Sequence, residues 1–208
     1  LKSVKETEKE MGILEFKLER TEKVKRTTAI LLEETIEELE QKRKAVEAHN
    51  RELEIEAALE KVRSRTMAMQ HSDELGEVSF VLDSQVRALG IKTRGCAFNI
   101  YGENESTEWF SFQKGTLPVY KTPREKTFLR YYEAGQKGES LFIKEFSGKA
   151  CVTHYEYLCT LPVMGKALKQ MIADGGSFPE QQIDHAAYFK YGYLLFITLE
   201  PCPQAHDI

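Results

Sequence analysis

Apolar positions along this chain follow two different periods, and each predicts a different kind of structure. In the first part, Leu32, Leu39, Val46 and Leu53 recur at every seventh residue, with Ala29, Ile36, Arg43, Asn50 and Ala57 at the interleaved positions. An apolar step of about 3.5 residues is the coiled-coil period. The pattern predicts a coiled-coil helix over residues 1–70 with a seam of Leu32, Ile36, Leu39, Arg43, Val46, Asn50, Leu53 and Ala57. The first 66 residues hold 16 Glu, 15 Lys or Arg, no Asp, no Pro and the single Gly12. These are strong helix formers and nothing among them stops a helix. At about 1.5 Å per residue the segment would reach about 100 Å. So narrow a stripe cannot build a core of its own, so the helix is expected to pair.

The flanking charges set the direction of pairing. Glu33, Glu40, Glu47 and Glu54 occupy the e positions, and an antiparallel dimer would stack these carboxylates on one seam. A parallel homodimer instead brings Lys42 toward the partner's Glu47 and His49 toward the partner's Glu54, each exposed pair contributing about 0.5 kcal/mol. Asn50 at an a position costs stability but pairs with its own copy and fixes register. The register shifts before Ala29, where Met11, Leu14 and Leu18 carry the stripe, and again after Ala57, where Leu59, Val62 and Met69 take over. Such shifts either allow two alternative packings or mark a rigid spacer with imperfect heptads.

Beyond Gln70 the pattern becomes that of a globular α+β domain over residues 71–208. Ser72 is a candidate N-cap, followed by a helix with Leu75, Val78, Leu82, Val86 and Leu89 on one face and Gly90 as its stop. The period then falls to two. Cys96, Phe98 and Ile100 alternate with Ala97, Asn99 and Tyr101, and a turn at 102–105 leads into a partner strand at 108–113. A helix is predicted from Thr122-Pro123 to about Gly135, a strand at 140–146, and helices over 149–171 broken at Pro162. A closing hairpin of 183–190 and 193–200 turns at Tyr191-Gly192, and a further helix starts at Ala205. The order describes an antiparallel sheet with flanking helices, which both PAS and GAF folds fit.

A net charge of −4 gives no reason to expect binding to a phosphate backbone. The longest apolar run, Tyr193–Ile197, is far short of the ~20 residues that span a bilayer. No membrane contact and a cytoplasmic location are therefore expected of this segment. The start at Leu1 points to a piece of a longer protein, which could itself be membrane-tethered. Cys96, Cys151, Cys159 and Cys202 form no CxxC pair and no metal-ligand spacing with His, so reduced thiols and no metal are expected.

Two stretches carry a family resemblance. Glu56-Ala57-Ala58-Leu59-Glu60-Lys61-Val62-Arg63-Ser64-Arg65-Thr66-Met67-Ala68-Met69 resembles the segment leading into a GAF-like domain of bacterial sensor histidine kinases and related signalling proteins. Tyr188-Phe189-Lys190-Tyr191-Gly192-Tyr193 and onward to Pro203 resembles the closing hairpin of that family, and Gln204–Ile208 its exit helix. The likeness covers about residues 56–208. It implies a GAF-like fold and a regulatory role upstream of a kinase or other output, with no ligand or residue set attached.

The chemistry in the sequence agrees with a non-catalytic module. There is no P-loop, GxGxxG, GxSxG or HExxH motif. His49 sits in Ala48-His49-Asn50-Arg51-Glu52-Leu53 without the Pro expected of a phospho-acceptor box, and its g position explains it as a solvated coil residue. His154 lies three residues from Cys151 on a predicted helix and reads as a hydrogen-bonded structural residue rather than a haem or metal ligand. A GAF sheet would hold a small molecule between sheet and connecting helices, with Phe98, Ile100, Trp109, Phe112, Tyr155 and Tyr188 as candidate lining. The cofactor stays unknown. Two alternatives remain: a methionine sulfoxide reductase-like enzyme using Cys96, Cys151 or Cys159, and a purely structural dimerisation module.

Overall fold

The computed structural model describes residues 2–202. The expected helix start at Ala205, and His206, lie outside the described residues. The chain divides into two compact units, one up to Leu53 and the other from Glu54 onward. Helix α1 spans Lys2–Met67, as its composition requires.

In the first unit α1 carries the heptad stripe uncovered. Leu32, Ile36, Leu39, Val46 and Leu53 are between 49% and 59% exposed, far more than leucines and isoleucines accept in a finished core. Arg43, Asn50 and Ala57 are exposed as well. Within one chain Lys42 pairs with Glu38 at 2.6 Å and Arg43 with Glu47 at 2.7 Å.

The second unit takes in the last turns of α1. Ala58 is buried, Val62 packs against Leu82, Val86, Cys96 and Phe196, and Arg65 pairs with Glu74 at 2.9 Å and also with Glu77. These contacts place the unit boundary inside the helix, ahead of residue 70. Ser72–Glu74 form a 3-10 turn, not the start of the α-helix expected at Ser72. His71 takes the N-cap position, and the Glu74 carboxylate accepts hydrogen bonds from the Gln70 and His71 amides at 3.0 and 3.1 Å. Helix α2 (Leu75–Ala88) follows and ends at Gly90, whose φ of 86° suits glycine.

Seven strands build one antiparallel sheet: β1 (Thr93–Tyr101), β2 (Glu105–Phe112), β3 (Gly115–Thr116), β4 (Tyr120–Pro123), β5 (Leu141–Ser147), β6 (Gln181–Phe189) and β7 (Gly192–Thr198). The order is β3-β2-β1-β7-β6-β5, with β4 also pairing β2. Both expected hairpins form. The helix expected from Thr122 does not begin there, because Tyr120–Pro123 joins the sheet, Glu105 lying opposite Pro123. Pro123 is tolerated on this edge strand, where one side of the backbone needs no ladder bond. Helix α3 then runs over Lys126–Gln136. Helices α4 (Gly148–Leu158) and α5 (Pro162–Ala173) are separated at Pro162, which opens α5 at its first turn.

The two faces of the sheet are covered by different helices. Ala97, Asn99, Glu108, Phe110, Asp184, Ala186, Tyr193 and Leu195 share one face by register. Helices α3, α4 and α5 cover it through Phe128, Tyr131, Tyr155, Leu158, Met164 and Leu168. On the other face Cys96 and Phe196 meet Leu82 and Val86 of α2. Buried polar bonds fix α2 there: Ser79 Oγ donates to the Cys96 carbonyl at 2.9 Å, and Thr93 Oγ1 donates to Asp83 at 2.6 Å.

The β6–β7 turn depends on Gly192. A Cβ there would lie 1.9 Å from the Asn99 carbonyl oxygen, in the backbone of the neighbouring strand. Gly192→Ala is therefore expected to cost about 3 kcal/mol, the range of an overpacked core. A lower urea midpoint with unchanged m-value would show it; an unchanged midpoint would contradict the close approach.

Candidate functional site

Between the sheet and α3–α5 lies a cavity of about 390 Å³. Its floor is β1, β2, β6 and β7, contributing Arg94, Glu108, Phe110, Phe112, Gln182, Asp184, Leu195 and Ile197. The roof is Phe128 and Tyr131 of α3, His154, Tyr155 and Leu158 of α4, and Met164, Ala167, Leu168 and Met171 of α5. Gln113, Lys114 and Leu117, after β2, close one side.

Alternation decides which of the expected lining residues reach it. Phe112 and Tyr155 line the cavity. Phe98 and Trp109 pair across β1 and β2 on the α2 face, and Ile100 shares their parity, so these three point away from it. Tyr188 is on the cavity face but is used structurally: its hydroxyl donates to the Tyr131 carbonyl at 2.8 Å, and its ring packs on Tyr193.

Polar groups that the sequence reading passed over give the cavity its character. Glu108 is fully buried, accepting from Asn99 Nδ2 at 2.9 Å and from the Tyr120 hydroxyl. Burial pushes its carboxyl up to about 7, against the hydrogen bonds from Tyr120 and Asn99 and with a further push from the charge of Asp184. Asp184 accepts from Gln182 Nε2 at 2.6 Å and from the Tyr131 hydroxyl, and burial raises it to about 6. The Tyr155 hydroxyl donates to Gln182, extending the network from sheet to roof. Both acids stand inside strands, where such residues are disfavoured. That was the available signal.

No family model matches this chain, and neither a curated protein nor a solved structure does.

The remaining candidates for chemistry are placed as follows. His154 is buried, stacked on Phe146 with centroids 4.2 Å apart, and burial pushes it down to about 4. His185 stacks on Phe196 at 4.4 Å and bonds Thr198 Oγ1 at 3.1 Å. His49 is exposed, 3.6 Å from Glu52. Cys96 and Cys151 are buried, and burial raises both thiols. Among the described residues no three His, Cys, Asp or Glu gather as a metal site, and no helix is long and apolar enough to cross a membrane.

Proposed function

We propose that this chain is a non-catalytic sensory and dimerisation module of a bacterial two-component-type signalling protein. A GAF-like lobe holds a small molecule, and its packing state biases a parallel coiled coil. One observation carries the reading: the same helix, α1, bears the uncovered heptad stripe and supplies Ala58, Val62 and Arg65 to the folded lobe. A change in lobe packing therefore acts on a helix whose seam is built for a second copy, and the broken register offers two packings to choose between.

The lobe's architecture supports the GAF-like part, with α2 on one face and a cavity under the connecting helices on the other. The thiols weigh against a redox enzyme. A nucleophilic cysteine needs an accessible thiolate, whereas two of the three candidates, Cys96 and Cys151, are buried with their thiols raised by burial; only Cys159 is partly exposed. Exposure of His49 beside Glu52 suits a solvated coil residue.

Cross-linking tests the reading in a Cys159→Ser, Cys202→Ser background. Leu39→Cys is expected to form a covalent dimer under mild oxidation, because identical d positions face each other only in a parallel pair. Gln41→Cys, on the outer face, should not. Filling the cavity with Ala167→Trp should then change the Leu39→Cys cross-linking rate several-fold. No covalent dimer would refute the pairing, and a rate unmoved by the filled cavity would reduce the module to a passive dimeriser.

A further inference from the structure

A cavity that takes a small molecule must also orient it, and one charge in its wall is unanswered among the described residues. Strand β1 shifts register against β7 between Thr93 and Gly95. Thr93 turns to the α2 face and bonds Asp83, while Ala97 and Asn99 continue the cavity face. The intervening Arg94 is delivered to the cavity wall, which is how a bulge re-aims a side chain. There the half-buried guanidinium meets the Met171 sulfur at 3.6 Å and the Tyr155 ring at 5.7 Å from its centroid. Neither contact neutralises a cation.

The other two cations of the wall are differently placed. Arg87 is bonded to Asp83 at 2.8 Å, and Lys114 is exposed. Arg94 forms no ion pair among the described residues, although Glu108 and Asp184 line the same cavity. Its fork of donors matches a carboxylate in two parallel hydrogen bonds. A phosphate dianion would suit the site less well, because one guanidinium balances half its charge and two buried carboxyl groups face it. The volume of about 390 Å³ is at the small end for organic ligands, and Phe110, Leu168 and Leu195 give the middle of the wall an apolar surface.

We propose that Arg94 anchors the carboxylate of a small monocarboxylic acid whose apolar body lies over Phe110, Leu168 and Leu195. This rests on the ligand-holding reading above.

Four probes of similar size separate the possibilities: 3-phenylpropanoate, 3-phenylpropan-1-ol, 3-phenylpropylamine and phenyl phosphate. Each is titrated into the full chain, with affinities read by calorimetry and location by NMR shifts of cavity residues. The acid is expected to bind at least tenfold more tightly than the alcohol or the amine. Arg94→Gln should bring the acid down to the alcohol's affinity and leave the alcohol unchanged. Arg94→Lys should retain part of the preference, and unchanged Tm values for both variants would show that they fold. Equal affinity for acid and alcohol, or an acid affinity unmoved in Arg94→Gln, overturns this assignment alone. Tighter binding of phenyl phosphate overturns the choice of carboxylate. Failure of all four probes to shift any cavity residue overturns the assignment and tells against the ligand-holding reading as well.

Discussion

Leu39→Glu is expected to turn a dimer of twice 23.9 kDa into a monomer at micromolar concentration, as read by sedimentation equilibrium. Leu39 occupies the centre of the stripe and is 59% exposed in a single chain. Pairing would bury two copies of it against each other, and burial of a leucine side chain contributes about 1.5–3 kcal/mol. The variant removes both contributions and sets two carboxylates face to face in the seam, a repulsion that Arg43 one turn on offsets only in part. A loss on the order of 5 kcal/mol corresponds to more than a thousandfold rise in Kd. An unpaired α1 also loses the packing that holds long polar helices together in water, so far-UV helicity should fall with the mass. Retention of the dimer mass would refute the seam.

A pH series on single variants should show two buried acids and one buried histidine acting with opposite signs. Glu108 titrates at about 7 in the folded lobe against 4.5 as its ordinary value, and Asp184 at about 6 against 3.8. The folded state therefore holds protons that the unfolded chain releases. Their stabilisation is complete below the ordinary carboxylate range and is lost as pH rises through about 6 for Asp184 and about 7 for Glu108. At about 1.36 kcal/mol per unit, each loss is on the order of 3 kcal/mol. His154 runs the other way. Its folded value of about 4 lies below 6.5, so the lobe gains stability as pH rises from about 4 to 6.5. Since these contributions partly cancel in the wild type, the difference between proteins is the informative quantity. Glu108→Gln should gain on the wild type by about 3 kcal/mol between pH 4.5 and 8 in urea unfolding, and Asp184→Asn similarly. His154→Phe should lose ground over pH 4 to 6.5. A constant gap for Glu108→Gln across that range would show that the carboxyl is not buried as described.

Much of the scaffold was legible because local chemistry and tertiary structure agree. The charged, proline-free first segment could only be helix, Gly90 and Pro162 mark real breaks, and two hairpins fall where the period of two predicted them. The strand Tyr120–Pro123 was missed because a proline after a threonine reads as a helix start, and only pairing with Glu105–Glu108 makes it an edge. The site was less legible for a reason built into the sheet. With both faces covered, alternation tells which residues share a face but not which face borders the cavity. The aromatic set Phe98 and Trp109 is the more apolar of the two, and it went to close packing against α2. The face bordering the cavity carries Asn99, Glu108, Gln182 and Asp184, and tyrosines and amides answer the two acids. Arg94 was invisible for a related cause, since a bulge suspends alternation at that residue.

The central pairing of β1 with β7, which sets Cys96 beside Phe196, has a consequence for biosynthesis. The earliest strand to leave the ribosome waits for the last before the sheet can close, so translation must pass Thr198 while Phe98, Trp109 and their neighbours are still unsheltered. In the proposed parallel pair the amino-terminal heptads, by contrast, need only another nascent copy. On a polysome, subunits would be joined first and finished afterwards, and each lobe would complete itself already tethered to its twin.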